Sequence, residues 1–114
     1  MKPVALLLVA LSVTTVVRPL HAQGEASPER GLGLARQVCA ECHAIQPQQI
    51  QSPNGRAPTF LALSTTPGMT RTALTVALTT PHAGMPMFRL TAEQRTDLIA
   101  YIMSLHQAGA PPGK

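Results

Sequence analysis

The sequence predicts an all-α fold in which short helices are joined by long loops. Apolar residues recur at helical spacing, most clearly in "TAEQRTDLIAYIMSLH", and no stretch shows the alternation typical of a strand. Segments rich in proline and glycine separate the helices. The chain holds two Phe, one Tyr and no Trp, so its own side chains build only a small core. We therefore expect a large apolar group to fill the middle of the domain.

The first and last helices carry the clearest start signals. Ser27 is a good N-cap and Pro28 suits the first position of a helix over "SPERGLGLARQVC". Thr91 and Gln94 form a capping box at the start of the last helix. The residues expected to face the core are Leu34, Ala35 and Val38 in the first helix, and Leu98, Tyr101, Ile102 and Leu105 in the last.

Two shorter helices and two loops are expected between them. "PTFLALS" predicts a short helix beginning at Pro58, and Thr70 caps a helix in "TRTALTVALTTP" that must end before Pro81. The loop over 44–57 is long for so small a domain, which suggests that it covers something. A second loop, "PHAGMPMFRL", precedes the last helix.

The N-terminal segment has the pattern of a secretory signal. A basic residue precedes 14 uncharged residues over 4–17, and Ala22 ends a suitable cleavage site. The run is shorter than the ~20 residues of a membrane-spanning helix, although an uncleaved anchor is the alternative. We expect a signal peptide over 1–22 and one domain over 23–114, soluble in the bacterial periplasm and without stable membrane insertion.

The charge of the expected domain is small. Without the two basic residues of the signal, the domain has seven basic and five acidic residues, a formal charge of +2. No basic stripe is interleaved with aromatic residues, so the sequence does not indicate nucleic-acid binding. We expect a monomer.

Both cysteines lie in one motif, Cys39-Ala-Glu-Cys42-His43, for which three chemistries compete. A redox dithiol is typical at the start of a helix that follows a strand, whereas this pair ends a helix. A zinc site could add His82 or His106. These two histidines are 24 residues apart, however, and the usual pattern places them three to five apart.

The third chemistry is the attachment of a c-type haem, for which C-x-x-C-H is the signature. Two thiols three residues apart can add to the two vinyl groups on one side of a haem. The next residue then lies beneath the iron. Cys39 and Cys42 are thus expected to form thioethers, and His43 to bind iron as the proximal ligand. One haem would also account for the small core.

The sixth position of the iron has several candidate ligands. Met103 lies near the apolar stripe of the last helix, and Met69 lies in a Pro-Gly turn, so packing explains both. Met85 and Met87 flank Pro86 in a loop without helical periodicity, so the pattern gives neither of them a place in the core. Met85 is the preferred distal ligand, Met87 is the alternative, and His82 or an open site remain.

The chain resembles a small soluble class I c-type cytochrome of the kind found in proteobacterial periplasms. The resemblance runs from about Gly31 to Leu105 and rests on "GLGLARQVCAECH", "RAPTF", "TTPHAGMP" and "LTAEQRTDLIAYIMSL". It implies a close crossing of the first and last helices at Gly31 and Tyr101. It also implies that Pro58 packs on the proximal side and that a Met before a proline, here Met85, is distal. Met87 departs from the family pattern.

The implied function is electron transfer by an iron that cycles between Fe(II) and Fe(III), not catalysis. Donor and acceptor proteins would dock on the exposed rim of the haem, and such a partner would be partly apolar and modestly acidic. One alternative is a haem subunit of a larger dehydrogenase or oxidase, and another is a haem enzyme or sensor with an open distal site. The expected rim residues are His82, Ala83, Gly84 and Pro86, with Arg56 and Arg89 nearby.

Overall fold

The computed structural model describes residues 24–109 as four helices without a strand, which confirms the all-α prediction. The predicted signal peptide over 1–22 lies outside the described residues, as does the C-terminal tail after 109. Within 24–109, no helix is both long and apolar enough to cross a bilayer. The helices are α1 (Pro28–Val38), α2 (Phe60–Thr65), α3 (Arg71–Thr79) and α4 (Ala92–Gly109).

The predicted capping box of α4 is present. The Thr91 amide donates to Gln94 Oε1 at 2.9 Å, and the Gln94 amide donates to Thr91 Oγ1 at 3.1 Å. Each bond satisfies an amide that the first helical turn leaves without a partner. Ser27 and Thr70 cap α1 and α3 as predicted. The prediction for α2 was wrong at its start, because Thr59 and not Pro58 comes directly before the helix and caps it.

Helix α4 is the centre of the fold, since α1, α2 and α3 all pack against it. Its predicted stripe is buried, from Leu98 at 1 % exposure to Tyr101 at 7 %. Phe60 from α2 packs beside Tyr101, with ring centroids 6.4 Å apart. The other buried apolar residues in this cluster include Ala35, Cys39, Ile45, Leu74, Ile99, Ile102 and Leu105.

Helices α1 and α4 touch at Gly31, as the resemblance implied. A Cβ atom built on Gly31 would lie 2.6 Å from the backbone carbon of Asp97 and 2.8 Å from Cβ of Tyr101. Both distances are far inside ordinary van der Waals contact, so only a residue without a side chain fits there. This contact fixes where α1 ends relative to α4, and the cysteine motif begins at that end.

An ion pair beside Gly31 was not predicted. Arg30 Nε donates to Asp97 Oδ2 at 2.7 Å, and the Ser27 amide donates to Asp97 Oδ1 at 2.7 Å. The Asp97 side chain is almost fully buried, and the hydrogen bond from Arg30 lowers the pKa of its carboxyl group. Asp97 thus joins the start of α1 to α4.

Candidate haem site

The cysteine motif forms a tight turn directly after α1. Cys39 is the C-cap of α1, and its carbonyl oxygen accepts hydrogen bonds from the amides of Cys42 at 3.1 Å and His43 at 2.9 Å. Cys39 and Cys42 form no disulfide with each other. The turn therefore presents the two sulfur atoms and the imidazole from five consecutive residues.

The environment of Cys39 argues against a redox dithiol. Burial raises the pKa of the Cys39 thiol to about 11. A reactive thiol pair needs a lowered pKa, because the thiolate is the nucleophile. The two cysteines also follow a helix and do not begin one. Both observations argue against thiol–disulfide exchange as the role of the pair.

The His43 ring is oriented by the residue that the resemblance placed on the proximal side. His43 Nδ1 lies 2.7 Å from the carbonyl oxygen of Pro58. A carbonyl can only accept, so Nδ1 donates, and in the neutral ring Nε2 then keeps its lone pair. The ring also packs against Phe60, with centroids 5.5 Å apart. The imidazole is thus prepared to bind a metal through Nε2.

The long loop over 44–57 bonds back onto the motif. The Asn54 amide donates to the carbonyl of Cys42 at 3.1 Å, and Ser52 Oγ accepts from the Ala44 amide at 3.0 Å. The loop was expected to cover something, but Ser52 and Asn54 were not predicted to belong to the site. The polar "SPN" run within the loop was the available signal, although it does not reveal the partner groups.

A mainly apolar pocket is lined in part by Cys39 and is partly open to solvent. Its cavity volume is about 20 Å³, well below the about 300–1,000 Å³ of formed small-molecule sites, so its walls lie close together. Walls from α1, α3, α4 and the loop before α4 enclose it. Its lining includes Val38, Cys39, Ala77, Leu78, His82, Met85, Pro86, Met87, Phe88, Leu90 and Leu98.

The methionines differ in their surroundings. Met69 and Met103 are partly buried and pack against the core, as predicted. Met85 and Met87 both line the pocket, but Met85 is half-buried whereas Met87 is 53 % exposed. Gly84, at a φ of +80°, precedes Met85 in a turn in which the Met85 amide donates to the His82 carbonyl at 3.3 Å.

The described residues offer no zinc site. Across 24–109, no group of three or more His, Cys, Asp or Glu side chains lies close enough to hold a metal ion. His106, one proposed zinc ligand, instead has its Nδ1 atom 3.1 Å from the carbonyl of Ser64. The turn after α1 brings two thiols and one imidazole together, and Cys39 also lines the pocket with the thioethers of Met85 and Met87. These donor types fit a c-type haem.

Comparison with known proteins identifies the family of the chain. Residues 26–102 match the family model described as "Cytochrome C oxidase, cbb3-type, subunit III". The chain is also 32 % identical over 80 residues to cytochrome c-552 from Bradyrhizobium diazoefficiens, a match that covers 70 % of this chain and 76 % of that protein. No solved structure matches the chain significantly. The chain therefore belongs to the cytochrome c family, as a small monohaem c-type cytochrome with covalently bound haem c that serves in electron transfer.

Proposed function

We propose that this chain is a periplasmic electron carrier whose haem iron is bound by His43 and Met85. The observation that carries the proposal is the Nδ1 contact of His43 with Pro58, which leaves Nε2 free directly after the two-cysteine turn. Met85 supports the distal assignment because it is the less exposed thioether of the loop and lines the pocket that begins at Cys39. Met87 is the alternative ligand.

Cys39 and Cys42 attach the haem in this proposal. Each S–H group adds across one vinyl C=C bond, so that sulfur bonds to carbon, the proton goes to the neighbouring carbon and nothing leaves. The tight turn holds the two sulfur atoms on one short segment, as the two vinyl groups on one side of a haem require. Two covalent bonds keep the cofactor in place in a compartment where free haem is not replenished.

The haem, once bound, supplies an iron that gains and loses one electron. The chain keeps the coordination of that iron the same in both states. Pro58 holds the His43 ring through Nδ1, and Pro86 stiffens the backbone after Met85. A thioether ligand favours the ferrous state and gives a relatively high reduction potential. With His43 and Met85 both bound to it, the iron would have no open position for a substrate, which supports an electron carrier and not an enzyme.

The rim of the pocket is the proposed docking surface for the electron donor and acceptor. The four rim residues predicted from the sequence, His82, Ala83, Gly84 and Pro86, are all exposed. Apolar side chains that line the pocket continue the surface, with Met87 at 53 % and Phe88 at 36 % exposure. Arg56 and Arg89 are also exposed and would favour a modestly acidic partner.

A second candidate function is that of a haem subunit in a larger complex. The description of the matching family model favours it, because that description names a subunit of a cbb3-type oxidase. Purification from a native membrane fraction separates the two. A free carrier stays in the periplasmic fraction as a monomer, whereas a subunit elutes with partner chains in fixed ratio.

Spectroscopy with redox titration tests the proposal. The oxidised protein should show the weak long-wavelength absorption band of a Met–Fe(III) bond and titrate as one reversible one-electron couple. Met85→Ala should lose that band, whereas its matched control Met87→Ala should keep it. Loss of the band only in Met87→Ala would move the ligand to Met87, and its persistence in both variants would refute ligation from this loop.

A further inference from the structure

The two residues after His43 are buried with their backbone. Ala44 is 0 % and Ile45 is 2 % exposed. Buried amides and carbonyls need partners within the protein, since water cannot reach them. The position of this backbone, and of the ring that His43 holds next to it, therefore depends on which groups supply those partners.

Ser52 supplies the partner for the first buried amide. The Ala44 N–H donates to Ser52 Oγ at 3.0 Å. Ser52 lies eight residues further along the loop, and the Asn54 amide closes the same loop onto the Cys42 carbonyl at 3.1 Å. The loop thus contacts the residue before His43 and the residue after it.

Tyr101 supplies a partner from α4. Its phenolic O–H donates to the Ile45 carbonyl at 2.6 Å, in a fully buried contact between residues 56 apart in the chain. Tyr101 is itself fixed, because its Cβ lies at the close crossing with Gly31. The position of the Ile45 backbone therefore depends, through this hydrogen bond, on how α1 packs on α4.

The backbone that Ser52 and Tyr101 hold is connected to Pro58, whose carbonyl accepts from the His43 ring. The Phe60 amide donates to the Ala44 carbonyl at 2.9 Å, while His43 Nδ1 contacts the Pro58 carbonyl at 2.7 Å. His43 and Ala44 thus both bond to the short segment over 58–60. If Ala44 moves, Phe60 and Pro58 cannot both keep their contacts.

We propose that Ser52 and Tyr101 are positioning residues that set the orientation of the His43 imidazole at the haem iron. This inference rests on the proposed role of His43 as the proximal ligand. Removing either hydroxyl leaves a buried backbone group without a partner, and the segment then shifts. The Nδ1 hydrogen bond to Pro58 weakens, the imidazole becomes a weaker base, and ferric iron loses stabilisation. The reduction potential therefore rises.

The test compares holoprotein variants by paramagnetic NMR of the haem methyl groups, by redox titration and by amide exchange. The methyl shifts of ferric haem report ring orientation, which a merely structural role would leave unchanged. Ser52→Ala and Tyr101→Phe should alter the methyl pattern and raise the potential while the Met–Fe(III) band persists. Exchange of the Ala44 amide in Ser52→Ala should accelerate about tenfold or more.

Matched variants separate positioning from stability. Ser64→Ala removes the hydroxyl of a different serine, which is buried and donates within α2 to the Leu61 carbonyl at 2.8 Å, and should leave the methyl pattern unchanged. Ser52→Thr keeps the hydroxyl and should restore the wild-type pattern, whereas the isosteric Ser52→Val should not. Identical methyl patterns and potentials in Ser52→Val, Tyr101→Phe and Ser64→Ala would overturn the proposal.

Failure of the proposed function would look different. If His43 is not the proximal ligand, His43→Ala keeps a normal low-spin spectrum whatever the Ser52 and Tyr101 variants do. If Ser52→Ala does not accumulate with haem, the Tyr101→Phe result alone decides, because it removes one oxygen atom and keeps the ring packed on Phe60.

Discussion

Replacing Gly31 by alanine should destabilise the protein strongly through one methyl group. The added Cβ would lie 2.6 Å from the Asp97 backbone carbon, whereas ordinary contact begins at 3.4 Å. The neighbour is backbone, so no flexible side chain can give way. Helix α1 must therefore move by about 0.8 Å or more at this point. Overpacking of this kind costs about 1–3 kcal/mol and sometimes more.

The higher helix propensity of alanine offsets part of that cost. Gly→Ala in a helix interior contributes about 1 kcal/mol of stabilisation. Because the clash is with backbone, the overpacking cost should lie near its upper end of about 3 kcal/mol, so the expected net loss for Gly31→Ala is about 2 kcal/mol. For a domain of this size, 1 kcal/mol corresponds to about 4–8 °C in Tm. The Tm of the holoprotein should therefore fall by about 10 °C.

Gly33→Ala is the matched control. It lies two residues further along α1, and a Cβ there would have no neighbour within 4 Å. The same substitution should therefore raise the free energy of unfolding, by about 0.4–1 kcal/mol. Both variants are measured by denaturant unfolding followed by far-UV circular dichroism. Equal stability of the two variants would refute the close crossing of α1 and α4.

Three further predictions concern charge, capping and the iron. Below pH 4 the free energy of unfolding should fall in the wild-type protein by more than it falls in Asp97→Asn, which lacks the ionised carboxylate at every pH. The lowered pKa of Asp97 beside Arg30 adds stability above the usual aspartate pKa of about 3.9, which disappears as the pH falls through the folded value; parallel pH–stability curves would contradict this. Thr91→Ala should cost about 1 kcal/mol, because it removes the N-cap of α4; a change below about 0.3 kcal/mol in urea unfolding would speak against the cap. Met85→Ala should bind external imidazole and have a lower potential, whereas Met87→Ala should resemble wild type in both titrations; equal behaviour of the two would refute the ligand choice.

Local signals in the sequence predicted the helices well. The capping box at Thr91 and Gln94 and the N-caps at Ser27 and Thr70 are contacts within three residues, so residue type and spacing are enough to predict them. Only the start of α2 was misplaced, because proline and threonine both suit the beginning of a helix. The buried stripe of α4 follows directly from helical periodicity.

Long-range polar contacts could not be predicted from the sequence. The bonds from Tyr101 to Ile45 and from Arg30 to Asp97 join residues 56 and 67 positions apart, and no local pattern specifies them. The role of Ser52 was hidden for another reason, since a serine in a polar loop has many possible partners. The Pro58 contact with His43 was implied by the resemblance to the family and not by spacing alone.

The central claim is that Cys39 and Cys42 hold one haem by covalent bonds. Intact mass spectrometry of the denatured protein, after treatment with an alkylating reagent, tests it most directly. The account predicts the mass of the polypeptide plus one haem, with no alkyl group added. Two alkylated cysteines on a polypeptide without haem would contradict it.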